Sequence, residues 1–150
     1  SVVGYNYRLS NICAAIGRGQ LRGLDAKVAA RRKNFDGYVA RLGDLPGITF
    51  MPEAPWGTCT RWLSCIVIDP VAFGATREDV RLALDAAGIE ARPLWKPMHM
   101  QPMFRDVPRF ERGVGADLFA HGLCLPSGSA LTSAELDEVA GIVRATGTAR

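Results

Sequence analysis

Residues 62–68, Trp-Leu-Ser-Cys-Ile-Val-Ile, constrain the fold more than any other stretch of this sequence. The run is apolar almost throughout, and Asp69-Pro70 ends it. A strand without polar alternation is typical of the interior of a sheet, where both faces are covered. We therefore expect a sheet organised around this segment.

The N-terminal part of the chain has the apolar spacing of α-helices up to about residue 43. Ser10 or Asn11 can cap the first turn, and a turn at residues 44–47 ends the pattern. Gly17 and Gly19 each weaken a helix by roughly 1 kcal/mol relative to alanine, so we expect another backbone to approach closely there. The pattern predicts one long helix or a kinked helix pair.

Two later helices are predicted to begin with a capping box, Thr76 with Asp79 and Thr132 with Glu135. Gly88 supplies a left-handed stop for the first of them. Their apolar stripes are Val80, Ala83, Leu84 and Ala87 in the first helix and Leu136, Val139, Ala140 and Val143 in the last.

Shorter elements complete the prediction: strands at residues 48–51, 89–95 and 123–126, and a helix at residues 116–121. Pro93 places its strand at a sheet edge or a bend. Strands and helices alternate without a regular β-α-β repeat. The sequence therefore predicts one α+β domain over residues 1–150, with helices packed on one side of a small, mostly antiparallel sheet and a long helix or helix pair at the N-terminus.

Composition excludes several classes of function. The net charge is only +3. The sequence has no basic stripe interleaved with aromatic residues, so it does not predict nucleic-acid binding. No apolar run approaches the ~18 residues of a transmembrane helix. The chain begins at Ser1, which fits either removal of an initiator methionine or a fragment of a larger protein.

The cysteines and histidines do not predict a metal site. No C-x-x-C pair exists, and His99 and His121 have no paired spacing with a cysteine. The cysteines have apolar neighbours, which favours reduced, mostly buried thiols in a cytoplasmic protein. They are Cys13, Cys59, Cys65 and Cys124.

Asn6, Tyr7 and Arg8 stand directly before the first predicted helix. An amide, a guanidinium and helix N-terminal amides in that position can form an anion site. The alternative is that Tyr5 and Tyr7 are packing residues and Arg8 is a surface charge. Residue physics alone favours this alternative.

Residues 92–99 hold two cations, an indole and an imidazole in a proline-restricted loop. Arg92, Trp95, Lys96 and His99 suit an anionic ligand with a flat or sugar-like surface. Equally, Trp95 could fill the core, Lys96 could be solvated and His99 could be a hydrogen-bonded structural residue. No lysine of the chain lies in a sequence context that would activate an amine, so no catalytic residue is predicted.

Three motifs, taken in order, resemble the C-terminal part of the DegT/DnrJ-type nucleotide-sugar aminotransferases, which are fold-type-I enzymes dependent on pyridoxal phosphate (PLP). The motifs are Gly4-Tyr5-Asn6-Tyr7-Arg8-Leu9-Ser10 with the following Ala14-Ala15-Ile16-Gly17, then Arg92-Pro93-Leu94-Trp95-Lys96-Pro97-Met98-His99, then Leu123-Cys124-Leu125-Pro126-Ser127-Gly128.

The resemblance implies a larger enzyme whose preceding domain, absent here, supplies the Schiff-base lysine and most PLP contacts. It implies that Asn6, together with Arg8, crosses a homodimer interface to the PLP phosphate of the other subunit. It also implies that Trp95, Lys96 and His99 line the nucleotide-sugar side of the site.

The implied reaction transfers an amino group, usually from glutamate, to a keto-sugar nucleotide. The Trp-Lys-Pro-x-His form of the loop looks most like enzymes acting on UDP-linked 4-keto sugars. The alternatives are a non-catalytic module that binds sugar nucleotides or anions, and a dimerisation module. If the chain is part of a larger enzyme, we expect an exposed apolar patch near residues 9–24.

Overall fold

The structure is a computed structural model that describes residues 4–6 and 8–148. The elements are α1 (Asn11–Leu21), α2 (Leu24–Leu42), β1 (Ile48–Phe50), β2 (Ser64–Ile68), α3 (Pro70–Phe73), α4 (Arg77–Ala86), β3 (Arg92–Pro93), α5 (Val114–His121), β4 (Gly122–Leu125) and α6 (Ser133–Thr148), with short 3-10 turns at Met98–Met100 and Pro102–Phe104.

The four strands form one antiparallel sheet in the order β1-β2-β4-β3. In the central pair, Ile66 lies opposite Leu123 and Cys65 lies opposite Cys124. The predicted apolar strand is therefore interior, although it begins at Ser64 and not at residue 62. The predicted α+β class and antiparallel sheet are confirmed.

One face of the sheet carries the core. Side chains alternate between the two faces of a strand, so Ile66 and Leu123 point to the same side, and both are fully buried. Helices α2, α4 and α6 cover this side with the buried residues Tyr38, Leu42, Val80, Leu84, Leu136, Val139, Ala140 and Val143. Cys65 and Cys124 accordingly lie on the opposite face, which α5 covers only in part.

Both predicted capping boxes are confirmed. Asp79 Oδ2 accepts from the Thr76 amide at 2.8 Å, and Thr76 Oγ1 accepts from the Asp79 amide at 3.2 Å. The corresponding distances for Thr132 and Glu135 are 2.7 and 3.3 Å. The α6 stripe is buried as predicted, whereas Ala87 is exposed because α4 has already ended at its C-cap.

The N-terminal helices form a pair that breaks at Arg22-Gly23, one of the two predicted arrangements. Helix α1 has no buried residue. Its apolar side chains Ile12 and Ile16 are 74% and 59% exposed, and Leu9, just before the helix, is 72% exposed, which confirms the predicted apolar patch. The predicted close backbone approach at Gly17 and Gly19 is wrong within the described chain, because no atom lies within 4 Å of a Cβ built at either position.

Other predicted boundaries also need correction. The predicted strand 89–95 reduces to Arg92–Pro93, because Pro93 has no N–H to continue a ladder; β3 is an edge strand as expected. The chain after β2 forms the short helix α3, which the sequence reading missed. Asp69 Oδ1 caps it by accepting from the amides of Val71 and Ala72 at 2.9 and 3.2 Å.

The cysteine prediction holds for two of the four residues. Cys65 and Cys124 are buried, but Cys59 is only half-buried and Cys13 is exposed on the uncovered helix α1. None of the helices in the described part combines the length and hydropathy needed to span a bilayer. Within the same residues, no three acidic, histidine or cysteine side chains gather as a metal site.

The long connection from β1 to β2 is tied to α2 through Glu53. Its carboxylate accepts from the Arg32 guanidinium at 2.9 and 3.1 Å and from the Cys59 amide at 2.8 Å, and Arg61 approaches to 3.5 Å. The Arg32 hydrogen bond is the main reason that the pKa of Glu53 falls from its ordinary value of 4.5 to about 2. This carboxylate therefore fixes the loop that leads to residue 62.

The Glu53 contacts predict a pH-dependent contribution to stability. Because the pKa is lower in the folded state, the contribution is present above pH 4.5 and is lost as the pH falls from about 4.5 towards 2. We expect Glu53→Gln to lower the free energy of unfolding at pH 7, with the difference from wild type shrinking over that window. Urea unfolding at a series of pH values measures it.

The matched control is Glu138→Gln, at an exposed position of α6, and it should leave the free energy of unfolding close to wild type. A Glu53→Gln deficit that stays constant from pH 7 to pH 2 would contradict the assigned ion pair.

Candidate functional site

A cleft of about 390 Å³ opens on the sheet face opposite the three-helix layer, at the β3–β4 edge. The segments that form it are the residues before β2, the strand β3 with its flanks, and the turn after β4. Its lining includes Trp62, Leu63, Glu90, Arg92, Pro93, Trp95, Cys124, Leu125, Pro126 and Ser127.

Two indoles stand side by side in this cleft. The ring centroids of Trp62 and Trp95 are 5.9 Å apart, with their planes inclined by 33°. The two residues are 61% and 66% exposed. Large aromatic surfaces left in water beside a cleft are suited to stack on a flat ligand. The alternative in which Trp95 fills the core is wrong.

Trp62 points into the cleft because Arg61 turns inward. Arg61 has a positive φ of 50°, and its buried guanidinium donates to the Met51 carbonyl at 2.7 Å. The same group lies over the Phe35 ring, 3.7 Å from its centroid, a cation–π contact. The sequence predicts Trp62 in a strand with both faces covered. That prediction is wrong because the inward turn of Arg61 leaves Trp62 exposed before β2 begins.

The turn after β4 forms the opposite wall and is held by α2. Asn34 Nδ2 donates to the Gly128 carbonyl at 2.7 Å, and the Tyr38 hydroxyl donates to the Pro126 carbonyl at 2.9 Å. Burial raises the pKa of Tyr38, so this hydroxyl stays protonated as a donor. Ser127 Oγ accepts from the Ser64 amide at 2.7 Å. These contacts make the turn a rigid support.

The charged residues of the second motif, residues 92–99, lie in two separate places. Arg92 lines the cleft and is paired with Glu90 at 2.7 Å. Lys96 is exposed beside the cleft residue Trp95. His99 is half-buried and lies outside the cleft lining, with its Nε2 3.1 Å from Glu111 Oε2. The structure thus joins Arg92 to Trp95, while His99 is held by a separate carboxylate.

Asn6 and Arg8 lie apart from the cleft, before the uncovered helix α1. The Arg8 amide donates to Asn6 Oδ1 at 2.9 Å, with Arg8 at φ 58°. Both side chains are exposed, as is Tyr5 at 89%, so Tyr5 has no packing role within the described chain. Tyr7 lies outside the described residues. Among those residues, no contact joins Asn6 or Arg8 to the lining of the cleft.

The described residues fit one part of a PLP site. Asn6 and Arg8 offer an amide and a guanidinium to solvent, and both groups can donate to a phosphate. The lysines do not fit the role of a Schiff-base amine, because Lys33 and Lys96 are exposed and Lys27 donates to Gln20. A desolvated amine is the usual activated form. The sequence predicts Asn6 and Arg8 as phosphate contacts, and this stays a prediction; the sequence does not predict the cleft or the exposure of Trp62.

Known proteins resemble this chain over most of its length. EpsN of Bacillus subtilis (strain 168), assigned as a pyridoxal phosphate-dependent aminotransferase, is 44% identical over 143 residues, which are 93% of this chain and 36% of EpsN. The GDP-perosamine synthase of Caulobacter vibrioides is 34% identical over 139 residues, or 92% of this chain and 37% of the synthase. The chain therefore spans little more than a third of these relatives.

Solved structures of aminotransferases also match this chain over most of its length. The crystal structure of DesI in the presence of its TDP-sugar product matches with a TM-score of 0.85 and 26% identity, covering 95% of this chain and 37% of DesI. The model of the DegT/DnrJ/EryC1/StrS aminotransferase family matches residues 1–144. The chain belongs to this aminotransferase family.

Proposed function

We propose that residues 1–150 are the C-terminal part of a PLP-dependent enzyme that transfers an amino group from glutamate to a nucleotide-linked keto-sugar. The observation that carries the proposal is the pair of exposed indoles beside Arg92 in one cleft. A nucleotide sugar has a flat base, an anionic diphosphate and a sugar ring, and this cleft offers a complementary surface to each.

In this proposal Trp62 and Trp95 stack on a ring of the nucleotide sugar, and Arg92 and Lys96 interact with its phosphates. Glu111 Oε2 lies 3.1 Å from His99 Nε2, and in this proposal that contact fixes the imidazole on the sugar side. The resemblance of the Trp95–His99 loop to enzymes of UDP-linked 4-keto sugars supports UDP over GDP or TDP.

Asn6 and Arg8 are proposed to bind the phosphate of PLP held by the other subunit of a homodimer. PLP, when bound, supplies the electron sink that amino transfer requires. This chain then supplies donors to the phosphate, and the reactive lysine comes from a preceding domain. The exposure of both side chains at the start of an uncovered helix supports a role towards a neighbouring surface.

A dimerisation or non-catalytic binding module is the second candidate. The exposed apolar face formed by Ile12 and Ile16 of α1 with the preceding Leu9 favours a role in assembly, because scattered exposure is normal but a contiguous apolar helix face indicates an interface. An interface on α1 is also what the first proposal requires.

Nucleotide-sugar binding by the cleft is tested by replacing its indoles in this chain. We expect Trp62→Ala to weaken UDP-sugar binding by about fivefold or more, because stacking on a base contributes about 1–3 kcal/mol. Isothermal titration with UDP-, GDP- and TDP-sugars measures both the loss and the preferred nucleotide.

Trp56→Ala is the matched control, since Trp56 is 88% exposed and lies outside the cleft lining. Equal affinities for the Trp62→Ala and Trp56→Ala variants would refute the assignment of the cleft.

The proposed phosphate contacts are tested in the longer protein. Asn6→Ala and Arg8→Ala should each weaken PLP retention by about tenfold or more, because a hydrogen bond to a charged group contributes about 1.5–3 kcal/mol. Cofactor remaining after dialysis is measured by its visible absorbance. The control is Arg18→Ala, an exposed arginine further along α1, and PLP retention unchanged in all three variants would remove Asn6 and Arg8 from the site.

A further inference from the structure

Cys65 and Cys124 form a close pair of thiols that neither the family assignment nor the proposed reaction uses. They are directly opposite in the β2–β4 register. Their sulfur atoms are 3.8 Å apart, and both cysteines are free and buried. In sequence they are 59 residues apart, so only the sheet brings them together.

The backbone already has the spacing that a disulfide requires. Opposite residues of an antiparallel pair have Cα atoms about 4.5 or 5.5 Å apart, and disulfides accept Cα distances of about 4.4–6.8 Å. The two sulfur atoms can therefore reach bonding distance by side-chain rotation, without separation or shift of the central strands.

Only one of the two thiols lines the cleft. Cys124 belongs to its lining, whereas Cys65 does not. A small reagent in the cleft beside Trp95 can reach Cys124, and the Cys65 sulfur lies 3.8 Å from the Cys124 sulfur. Cys13 and Cys59, the remaining cysteines, are more exposed and have no sulfur partner among the described contacts.

The hydrogen bond between the thiols gives them different acidities. Either sulfur can be the donor in this contact. The contact lowers the pKa of Cys124, whereas the same contact, together with burial, raises the pKa of Cys65. The thiolate is the nucleophile in oxidation. The thiol that lines the cleft is thus also the one that ionises first.

We propose that Cys65 and Cys124 are a redox-active dithiol at the floor of the cleft, which hydrogen peroxide converts into an intramolecular disulfide. The Cys124 thiolate attacks one peroxide oxygen, the O–O bond breaks, and a sulfenic acid and hydroxide form. The Cys65 sulfur then attacks the Cys124 sulfur and displaces the hydroxyl, which leaves as water. In total, two thiols lose two electrons and two protons, and one peroxide becomes two waters.

The disulfide would link the two central strands beneath Trp62 and Trp95 and remove the polarity and mobility of the thiols there. A reversible bond of this kind fits a reducing compartment, where disulfides are transient. The inference concerns only the sheet and its cysteines, and it does not depend on the proposed substrate.

The test uses this chain with limiting hydrogen peroxide, followed by alkylation of remaining thiols, non-reducing digestion and mass spectrometry. We expect a peptide linked through Cys65 and Cys124, two hydrogens lighter than the separate peptides, while most Cys13 and Cys59 is recovered alkylated. Dithiothreitol should restore both thiols. Prior unfolding in urea should abolish the preference for this pair.

Two further measurements test the thiol pair by other means, one without an oxidant and one in a cysteine variant. Phenylarsine oxide, a reagent for paired thiols, should consume two thiols per arsenic in the wild type and none at this site in Cys65→Ser. In that variant, Cys124 should accumulate a dimedone-trapped sulfenic acid without the linked peptide. Recovery of unlinked Cys65 and Cys124 after Cys13 is oxidised, or irreversible over-oxidation of Cys124 without linkage, would overturn the proposal.

Discussion

The antiparallel pairing of β2 with β4 is the interaction on which the rest of the structure depends. It places Ile66 beside Leu123 on the face that the helices bury, and Cys65 beside Cys124 on the face that carries the cleft. A slip of one residue would exchange the two faces, since side chains alternate along a strand. The hydrophobic core thus fixes the register, and the register in turn fixes the floor of the candidate site.

Helix α2 connects the core to the cleft. Its residues Tyr38 and Asn34 hold the turn after β4, while Arg32 holds Glu53 and through it the loop before β2. Both walls of the cleft therefore rest on one helix that also packs on the sheet. Preorganised walls reduce the ordering cost of binding, which suits the binding of a flexible ligand such as the proposed nucleotide sugar.

Local sequence patterns predict much of the secondary structure. The capping boxes at Thr76 and Thr132 and the apolar strand could be predicted because their partners lie within a few residues. The orientation of Trp62 could not, because it follows from Arg61 stacking on Phe35, a contact between distant parts of the chain. The Cys65–Cys124 pair likewise needed the strand register.

The candidate site residues lie in two separate parts of the structure, the cleft with Trp62 and Trp95 and the segment with Asn6 and Arg8, and the sequence alone does not predict this separation. The motif at residues 92–99 predicts a ligand-binding loop, and in the structure Trp62 lies beside Trp95 of this loop. The motif around Asn6 and Arg8 is local in sequence, and it lies directly before α1, a helix without a buried residue. Exposed donors at the start of an uncovered apolar helix are explained if another polypeptide surface completes the site, as proposed for the longer enzyme.

The most direct test of this central claim is amide hydrogen exchange in α1, compared between this chain and the longer protein. Amides of a helix without buried contacts open at little free-energy cost and exchange fast. We expect fast exchange of α1 in this chain and strong protection in the longer protein, with the protection of α6 similar in both. Equally fast α1 exchange in the two proteins would contradict the claim that α1 joins an interface that completes the site.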